Sequence, residues 1–234
     1  MSEHTRRSFA RAGLIAGASI LTGATLLGAN EEKKSEPVGE QGITPGEDLM
    51  QEHGVLKSIL LIYGEAVRRL EANLDLPPEA VADSARIVRE FVEDYHERLE
   101  ENFLFPRFRK ANKLVDLVDV LLQQHQGGRR LTDITKQFAT QQALKNVDDR
   151  RKLTDSLRQF IRMYSPHEAR EDTVLFPAFR QIVSANEFAA LGEDFEKKEQ
   201  ELFGADGFEK VVDQVAQIEK KLGIYELAQF TPKI

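Results

Sequence analysis

Six residues of this chain have side chains that bind metal ions, and their spacing repeats. They are His53, His96, Glu100, His125, His167 and Glu171. In each half, one histidine is followed 42 or 43 residues later by a second histidine, and four residues after that by a glutamate. The segment LFPxFR then begins eight residues after the second histidine in both halves. Four of the five histidines in the chain fall into this pattern.

Helical geometry explains how each half could supply one set of ligands. Residues four apart lie about 40° apart around a helix and about 6 Å apart along it. His96 with Glu100, and His167 with Glu171, would therefore present an imidazole and a carboxylate from one helix face. Four nitrogens and two carboxylates are too many ligands for one ion with an open position. They suit two ions, each bound by two histidines and bridged by both glutamates.

The residue types also limit the choice of metal. The sequence contains no cysteine, so disulfides, zinc ribbons and iron–sulfur clusters are excluded. Nitrogen and oxygen ligands with carboxylate bridges favour iron or manganese over calcium, which binds oxygen alone. Zinc also accepts imidazole and carboxylate and stays open as an alternative. Two bridged ions of iron or manganese are therefore expected.

Each of these residues also has a more ordinary interpretation. A lone histidine on an apolar helix face is usually a hydrogen-bonded core residue, and HxxxE is a common pair on a solvated helix. The LFP repeats would then record only a gene duplication. The joint spacing of six residues in two equivalent halves favours the metal site.

Several neighbours of these six residues are predicted to support them. Tyr95 and Tyr164 are interpreted as core aromatics whose hydroxyls are satisfied locally. Four nearby acids are predicted to be solvated or to hydrogen-bond the ligands: Glu52, Glu97, Glu101 and Glu168. A dry wall around the site is predicted from Leu56, Leu60, Phe91, Leu121, Phe160 and Leu175.

Apolar residues at three- and four-residue spacing predict the helices that would position these side chains. Four long helices are expected, the first from about Glu47 to Asn73, the second from Pro78, the third over about 113–144 and the fourth over about 148–183. No sustained alternation indicates a strand. The predicted fold is all-α: an up-down-up-down four-helix bundle over 47–183, followed by a C-terminal extension, 184–234, of one or more helices.

Two local features disturb the helical pattern. Pro106 and Pro177 are expected to kink or end the second and fourth helices shortly after Glu100 and Glu171. The pair Gly127–Gly128 would weaken the third helix by about 1 kcal/mol per glycine, unless small size is required there.

The N-terminal residues resemble a twin-arginine export signal. Thr5-Arg6-Arg7-Ser8-Phe9 precedes a nearly uncharged apolar run, 12–29. We expect residues 1–29 to be removed on export of the folded protein to a periplasmic or other extracytoplasmic location, with no stable membrane span in the mature form. The alternative is an uncleaved anchor. Residues 30–46 are polar, with several prolines and glycines, and predict a linker.

The composition of the chain disfavours nucleic acids as partners. The chain has 234 residues, a net charge of -7 and no basic run, so nucleic-acid binding is disfavoured. With 41% hydrophobic and 30% charged residues, it is typical of a globular domain.

Four segments of the chain resemble the helices of hemerythrin-like proteins with the HHE cation-binding domain. These segments are DLMQEHGVLKSIL, FVEDYHERLEENFLFP, LLQQHQGGRRL and YSPHEAREDTVLFP. The resemblance implies a four-helix bundle with a non-heme di-iron centre that meets dioxygen, peroxide or nitric oxide. The oxygen-carrying members have a paired HxxxH on the third helix. Here Leu121 and Arg129 stand four residues from His125, which leaves a coordination position open and argues against reversible oxygen carriage.

Three functional hypotheses follow from this resemblance and from the residues. The first is a di-iron protein that binds or senses dioxygen, nitric oxide or peroxide. The second is a di-iron enzyme that consumes peroxide or reduces dioxygen, with an open metal position as the reactive one. The third is a metal store or a zinc-stabilised structural bundle that acts through protein partners.

Overall fold

The computed structural model describes residues 43–233 of the chain. The predicted signal, 1–29, with His4 and most of the predicted linker, lies outside the described residues. Within residues 43–233 the regular structure is entirely helical, so the predicted all-α fold is confirmed. No helix in this part of the chain is long and apolar enough to cross a membrane.

Seven helices, α1 to α7, make up the described part of the chain. They are α1 Pro45–Glu71, α2 78–110, α3 Val115–Phe138, α4 Gln141–Lys145, α5 147–182, α6 Ala185–Phe203 and α7 Gly207–Leu222, with a final 3₁₀ turn at Leu227–Phe230. The long helices form the predicted bundle: α1 packs against α2 and α5, and α3 packs against α2 and α5. Helices α6 and α7 pack on α1, and α7 also packs on α2. The C-terminal extension is thus a pair of helices that covers one side of the bundle.

The first helix begins two residues before its predicted start at Glu47. The Thr44 hydroxyl accepts a hydrogen bond from the Glu47 amide at 3.3 Å, and the Glu47 carboxylate accepts from the Thr44 amide at 3.0 Å. This reciprocal cap satisfies two backbone donors at the helix start. Pro45 fits the first helical position, where its missing N–H has no partner to lose. The predicted linker therefore extends too far by two residues, because Pro45 and Gly46 are helical and buried.

The third predicted helix, 113–144, is two helices in the structure. Helix α3 ends at Phe138, and α4 begins at Gln141 after a cap in which the Thr140 hydroxyl accepts from the Ala143 amide at 3.1 Å. The single-helix prediction was wrong because a threonine side chain satisfies the backbone there as well as a helical turn does.

Helix α2 does not end at Pro106, and α5 does not end at Pro177. Each helix widens just before the proline into a π-helical segment, Glu100–Leu104 in α2 and Glu171–Leu175 in α5. The carbonyl of Glu100 accepts from the amide of Phe105, five residues on, and the corresponding bond in α5 forms at Glu171. Because proline lacks an N–H, shifting the register lets each helix continue past it. The widened segment starts at the predicted bridging glutamate in both halves.

The repeated LFPxF segments pack against each other in the core. Leu104 and Leu175 are fully buried. Phe108 and Phe179 occupy equivalent positions in the two halves, and their ring centroids lie 5.9 Å apart. The two helices that carry the HxxxE pairs are therefore joined by the motif that follows those pairs.

Candidate metal centre

The structure brings all six predicted ligands together in the bundle interior. They form two triads, and within each triad the candidate ligand atoms lie within 4.8 Å of one another. The first triad is His53, His96 and Glu100, and the second triad is His125, His167 and Glu171. Every one of these side chains is buried. Each half of the sequence repeat thus supplies one triad.

Both glutamates contact histidines of both triads. The two carboxylate oxygens of Glu100 lie 3.8 Å from His96 Nε2 and 3.4 Å from His125 Nε2. Glu171 Oε2 lies 3.1 Å from His167 Nε2 and 3.4 Å from His53 Nε2. This is the arrangement expected of two carboxylates that bridge a pair of ions.

Six inward-facing atoms of the site lack hydrogen-bond partners among the described residues. This holds for Nε2 of His96 and of His125, and for both carboxylate oxygens of Glu100 and of Glu171. A buried polar atom without a partner destabilises the fold by about 1–3 kcal/mol, and more when it is charged. Metal ions bound between these atoms would satisfy all of them. The donor set, two imidazoles and shared carboxylates for each ion, also suits iron.

The outward-facing nitrogen, Nδ1, of each histidine contacts a side-chain oxygen. The four contacts are His53 with Asp172 at 2.7 Å, His96 with Glu52 at 2.8 Å, His125 with Glu101 at 3.1 Å and His167 with Gln124 at 2.8 Å. When each Nδ1–H donates to its oxygen, the ring is held with the Nε2 lone pair facing the site. Metal-binding histidines show this arrangement in general.

Two of these acceptors agree with the sequence prediction, and two were missed. Glu52 and Glu101 were predicted as hydrogen-bond partners or solvated acids, and both accept from ligand histidines. Asp172 directly follows Glu171, as Glu101 follows Glu100, and Gln124 directly precedes His125, as Glu52 precedes His53. Aligning the two halves would therefore have found both missed residues.

The phenylalanines of the LFP motif stack on ligand imidazoles of the opposite half. Phe105 lies over His125 and Phe176 over His53, each with ring centroids 5.5 Å apart. The predicted dry wall omitted both phenylalanines. Of its six predicted members, five are buried and Leu60 is only partly so. The motif is thus repeated because it supplies the apolar cover of the site.

The two tyrosines near the site are buried, and each hydroxyl donates to a carboxylate. Tyr95 donates to Glu52 at 2.9 Å, and Tyr164 donates to Glu97 at 2.6 Å. The prediction that both rings are core aromatics is confirmed, but the partner of each hydroxyl lies on another helix and is not local. A Cβ at Gly128 would lie 1.9 Å from the Tyr164 hydroxyl, so small size is required at that position.

Arg129 pairs with two carboxylates beside the second triad. Its guanidinium lies 2.7 Å from Glu97 and 2.8 Å from Glu101. Although burial raises the pKa of Glu101, the hydrogen bonds from His125 and Arg129 outweigh it and lower this pKa to about 2. Arg129 lies four residues after His125 and binds these two carboxylates.

The protonation states of the metal-free site differ between the two histidines of the first triad. Burial lowers the pKa of His96 to about 4, so its Nε2 is free of a proton at neutral pH. Burial also acts to lower the pKa of His53, but hydrogen bonds to Asp172 and Glu171 outweigh it and raise this pKa to about 10. Metal binding at His53 must therefore displace a proton.

Comparison with known proteins agrees with this site. The sequence profile of the hemerythrin HHE cation binding domain matches residues 44–143 and again residues 116–231. Uncharacterized proteins from two strains of Mycobacterium tuberculosis and from Mycobacterium bovis are 52% identical over 196 residues, which is 84% of this chain and 77% of theirs. No solved structure matches the chain. The chain therefore belongs to the hemerythrin HHE cation-binding domain family.

Proposed function

We propose that this protein binds two iron ions and, at the positions that its side chains leave open, a small molecule: dioxygen, nitric oxide or peroxide. The observation that supports it is the pair of buried triads in which six inward nitrogens and oxygens have no hydrogen-bond partner among the described residues. Six such atoms would be strongly unfavourable in a core without bound cations. The six metal ligands in this proposal are His53, His96, Glu100, His125, His167 and Glu171.

Each part of the chain has a defined task in this proposal. The histidine Nε2 atoms bind the ions, and Glu100 and Glu171 bridge them. The LFP phenylalanines exclude water from the imidazole faces. When bound, two iron ions supply exchangeable coordination positions and a change of oxidation state.

The number of protein ligands supports an open position. Each triad provides two imidazoles and a share in two carboxylates, which is fewer than the six ligands of a saturated octahedral iron. A third cluster near the site, Glu97, Glu101 and His125, has two of its members paired with Arg129. That cation disfavours a metal ion at the cluster, so its carboxylates do not complete the coordination.

A second candidate, consumption of peroxide or reduction of dioxygen, would use the same open positions, with the hydroxyls of Tyr95 and Tyr164 as fixed hydrogen-bond donors behind the ligands. Burial raises the pKa of both hydroxyls, so they stay protonated. Tyr95 donates to Glu52, which in turn holds the ligand His96. These bonds hold the carboxylates behind the ligands in place, and the reacting molecule would meet the open coordination positions instead.

Metal analysis of the full chain purified from iron-supplemented cells tests the proposal. We expect two iron ions per chain and an absorption band from a bridged pair, both lost in the double variant His96→Ala, His167→Ala. The control is Glu90→Ala, which changes an exposed side chain on the helix that carries His96 and should keep both ions. One zinc ion per chain, or iron content unchanged in the double variant, would overturn the proposal in favour of a metal store or structural bundle.

Ligand binding separates the two functional candidates. Iron-loaded protein should change its absorption spectrum on addition of nitric oxide, dioxygen or peroxide. Stopped-flow removal of peroxide faster than by the same concentration of free iron would favour the enzyme, whereas a stable spectral change without turnover would favour binding or sensing.

We also propose an extracytoplasmic location, supported by the Arg6-Arg7 pair and the apolar run after it. Replacing both arginines by lysine should retain the protein in the cytoplasmic fraction. An unchanged distribution between fractions would contradict the export proposal and leave the metal proposal intact.

A further inference from the structure

In the first triad, both outer hydrogen bonds go to carboxylates. His53 Nδ1 contacts Asp172 at 2.7 Å, and His96 Nδ1 contacts Glu52 at 2.8 Å. A carboxylate acceptor draws the Nδ1 proton toward itself and makes Nε2 a stronger donor to a metal ion. Both imidazoles of the first triad are strengthened in this way.

In the second triad, one outer acceptor is a neutral amide and the other is a carboxylate shared with a cation. His167 Nδ1 contacts the neutral amide oxygen of Gln124 at 2.8 Å. His125 Nδ1 contacts Glu101 Oε1 at 3.1 Å, but Arg129 lies 2.8 Å from that same oxygen and competes for its lone pairs. The side chain of Arg129 is only 17% exposed, so solvent screens its charge little. His167 is therefore a weaker donor than its counterpart His96, and Arg129 offsets part of what Glu101 adds to His125.

Two neighbouring charges also influence how strongly these histidines donate to a metal ion. Neither charge reverses the difference between the two triads. Lys57 pairs with Asp172, but it contacts the other carboxylate oxygen at 3.3 Å and is 54% exposed, so water screens it. Glu97 Oε2 lies 4.0 Å from His125 Nδ1, beyond hydrogen-bond distance, and its carboxylate already accepts from Arg129 and Tyr164.

We propose that the two metal positions are inequivalent: the first triad binds its ion more tightly and fills first, and the second triad holds the exchangeable ion. Gln124 is the positioning residue that sets much of the difference, because it occupies the position that Glu52 has in the other half. This inference rests on the proposed two-metal site. Removing one such partner typically changes metal affinity by about 10–100-fold, which is the separation we expect between the two sites.

Anaerobic titration of the metal-free full chain with Co²⁺ tests the inference through binding rather than activity. Visible absorption and calorimetry should show two steps whose dissociation constants differ by about 10–100-fold. The variant His125→Ala should keep the tight step, and His53→Ala should keep only the weak one. Circular dichroism of each metal-free variant checks that the helices are retained.

The matched pair of isosteric variants assigns the cause. Gln124→Glu should strengthen the second step by about tenfold or more and bring the two steps together, while Glu52→Gln should weaken the first step by a similar factor. If Gln124 and Glu52 only supported the fold, neither substitution would change the dissociation constant of one binding step without the other.

Two equal steps in the parent chain, or a tight step that survives His53→Ala, would overturn the inequivalence while leaving the two-metal site intact. Binding of fewer than two Co²⁺ ions would overturn both the inference and the two-metal proposal. Two separated steps with no spectral response of the iron-loaded protein to any small molecule would support the inference and contradict the proposed ligand.

Discussion

Substitution of Gly128 by alanine tests how closely the third helix approaches the layer behind the metal ligands. The added Cβ would lie 1.9 Å from the Tyr164 hydroxyl oxygen and 2.7 Å from its Cζ. Tyr164 is buried and packs on Phe160 with ring centroids 4.3 Å apart, so its ring has no open space to enter. The ring must shift, and its 2.6 Å hydrogen bond to Glu97 must lengthen or break.

The size of the effect follows from three contributions. Forcing an additional methyl group into a packed core costs about 1–3 kcal/mol. Losing a buried hydrogen bond to a charged acceptor costs about 1.5–3 kcal/mol. Alanine in place of glycine inside a helix raises the free energy of unfolding by about 1 kcal/mol. We expect Gly128→Ala to lower the free energy of unfolding by about 3 kcal/mol.

Urea unfolding of the metal-free full chain, followed by circular dichroism, measures this change. The matched control is Gly127→Ala, because the nearest atom to its new Cβ is the flexible Met163 sulfur at 3.3 Å. That variant should be as stable as the parent, or more stable by up to about 1 kcal/mol. The same stability for both alanine variants would refute the reasoning. Adding Tyr164→Phe to Gly128→Ala should recover part of the loss, because the closest clashing atom is removed.

Three further predictions concern the start of the bundle, its core and the metal-free site. Thr44→Ala removes the cap of the first helix and should lower the free energy of unfolding by about 1 kcal/mol in the same urea assay. Phe108→Ala should lower it by about 3–5 kcal/mol, because a fully buried ring leaves a cavity; the 83%-exposed Leu227, changed to alanine, is the control and should have no effect. Since the pKa of His53 is raised to about 10, its folded-state value exceeds the unfolded one. Its stabilising contribution to the metal-free protein is therefore complete below about pH 6.5 and lost as pH rises toward 10. Metal binding at pH 7.5 should then release at least one proton per chain, measured by calorimetry in buffers of different ionisation enthalpy, and no release would contradict this assignment.

The sequence alone was sufficient to identify the six candidate ligands, because their most specific relation is local. A histidine and a glutamate four residues apart must share a helix face, whatever the rest of the chain does. The doubling of that pair, each preceded by a further histidine, then predicted the bundle that assembles them. All six residues lie in the two triads.

Other features could not be inferred from the spacing of apolar residues. The continuation of α2 and α5 past Pro106 and Pro177 requires a π-helical register that no propensity scale predicts. The requirement for Gly128 arises from a tyrosine hydroxyl on another helix. The break after Phe138 depended on a single threonine cap that competed with the helix.

The outer partners of the ligands show most clearly where sequence reasoning ends. Asp172 follows one bridging glutamate but holds His53, which lies 119 residues away on another helix. Its neighbours along the chain do not indicate which imidazole it meets. Side-chain types and their spacing along a helix thus determined which residues face the site. Only the packing of helices against one another decided which carboxylate meets which imidazole, and hence how the surroundings of the two triads differ.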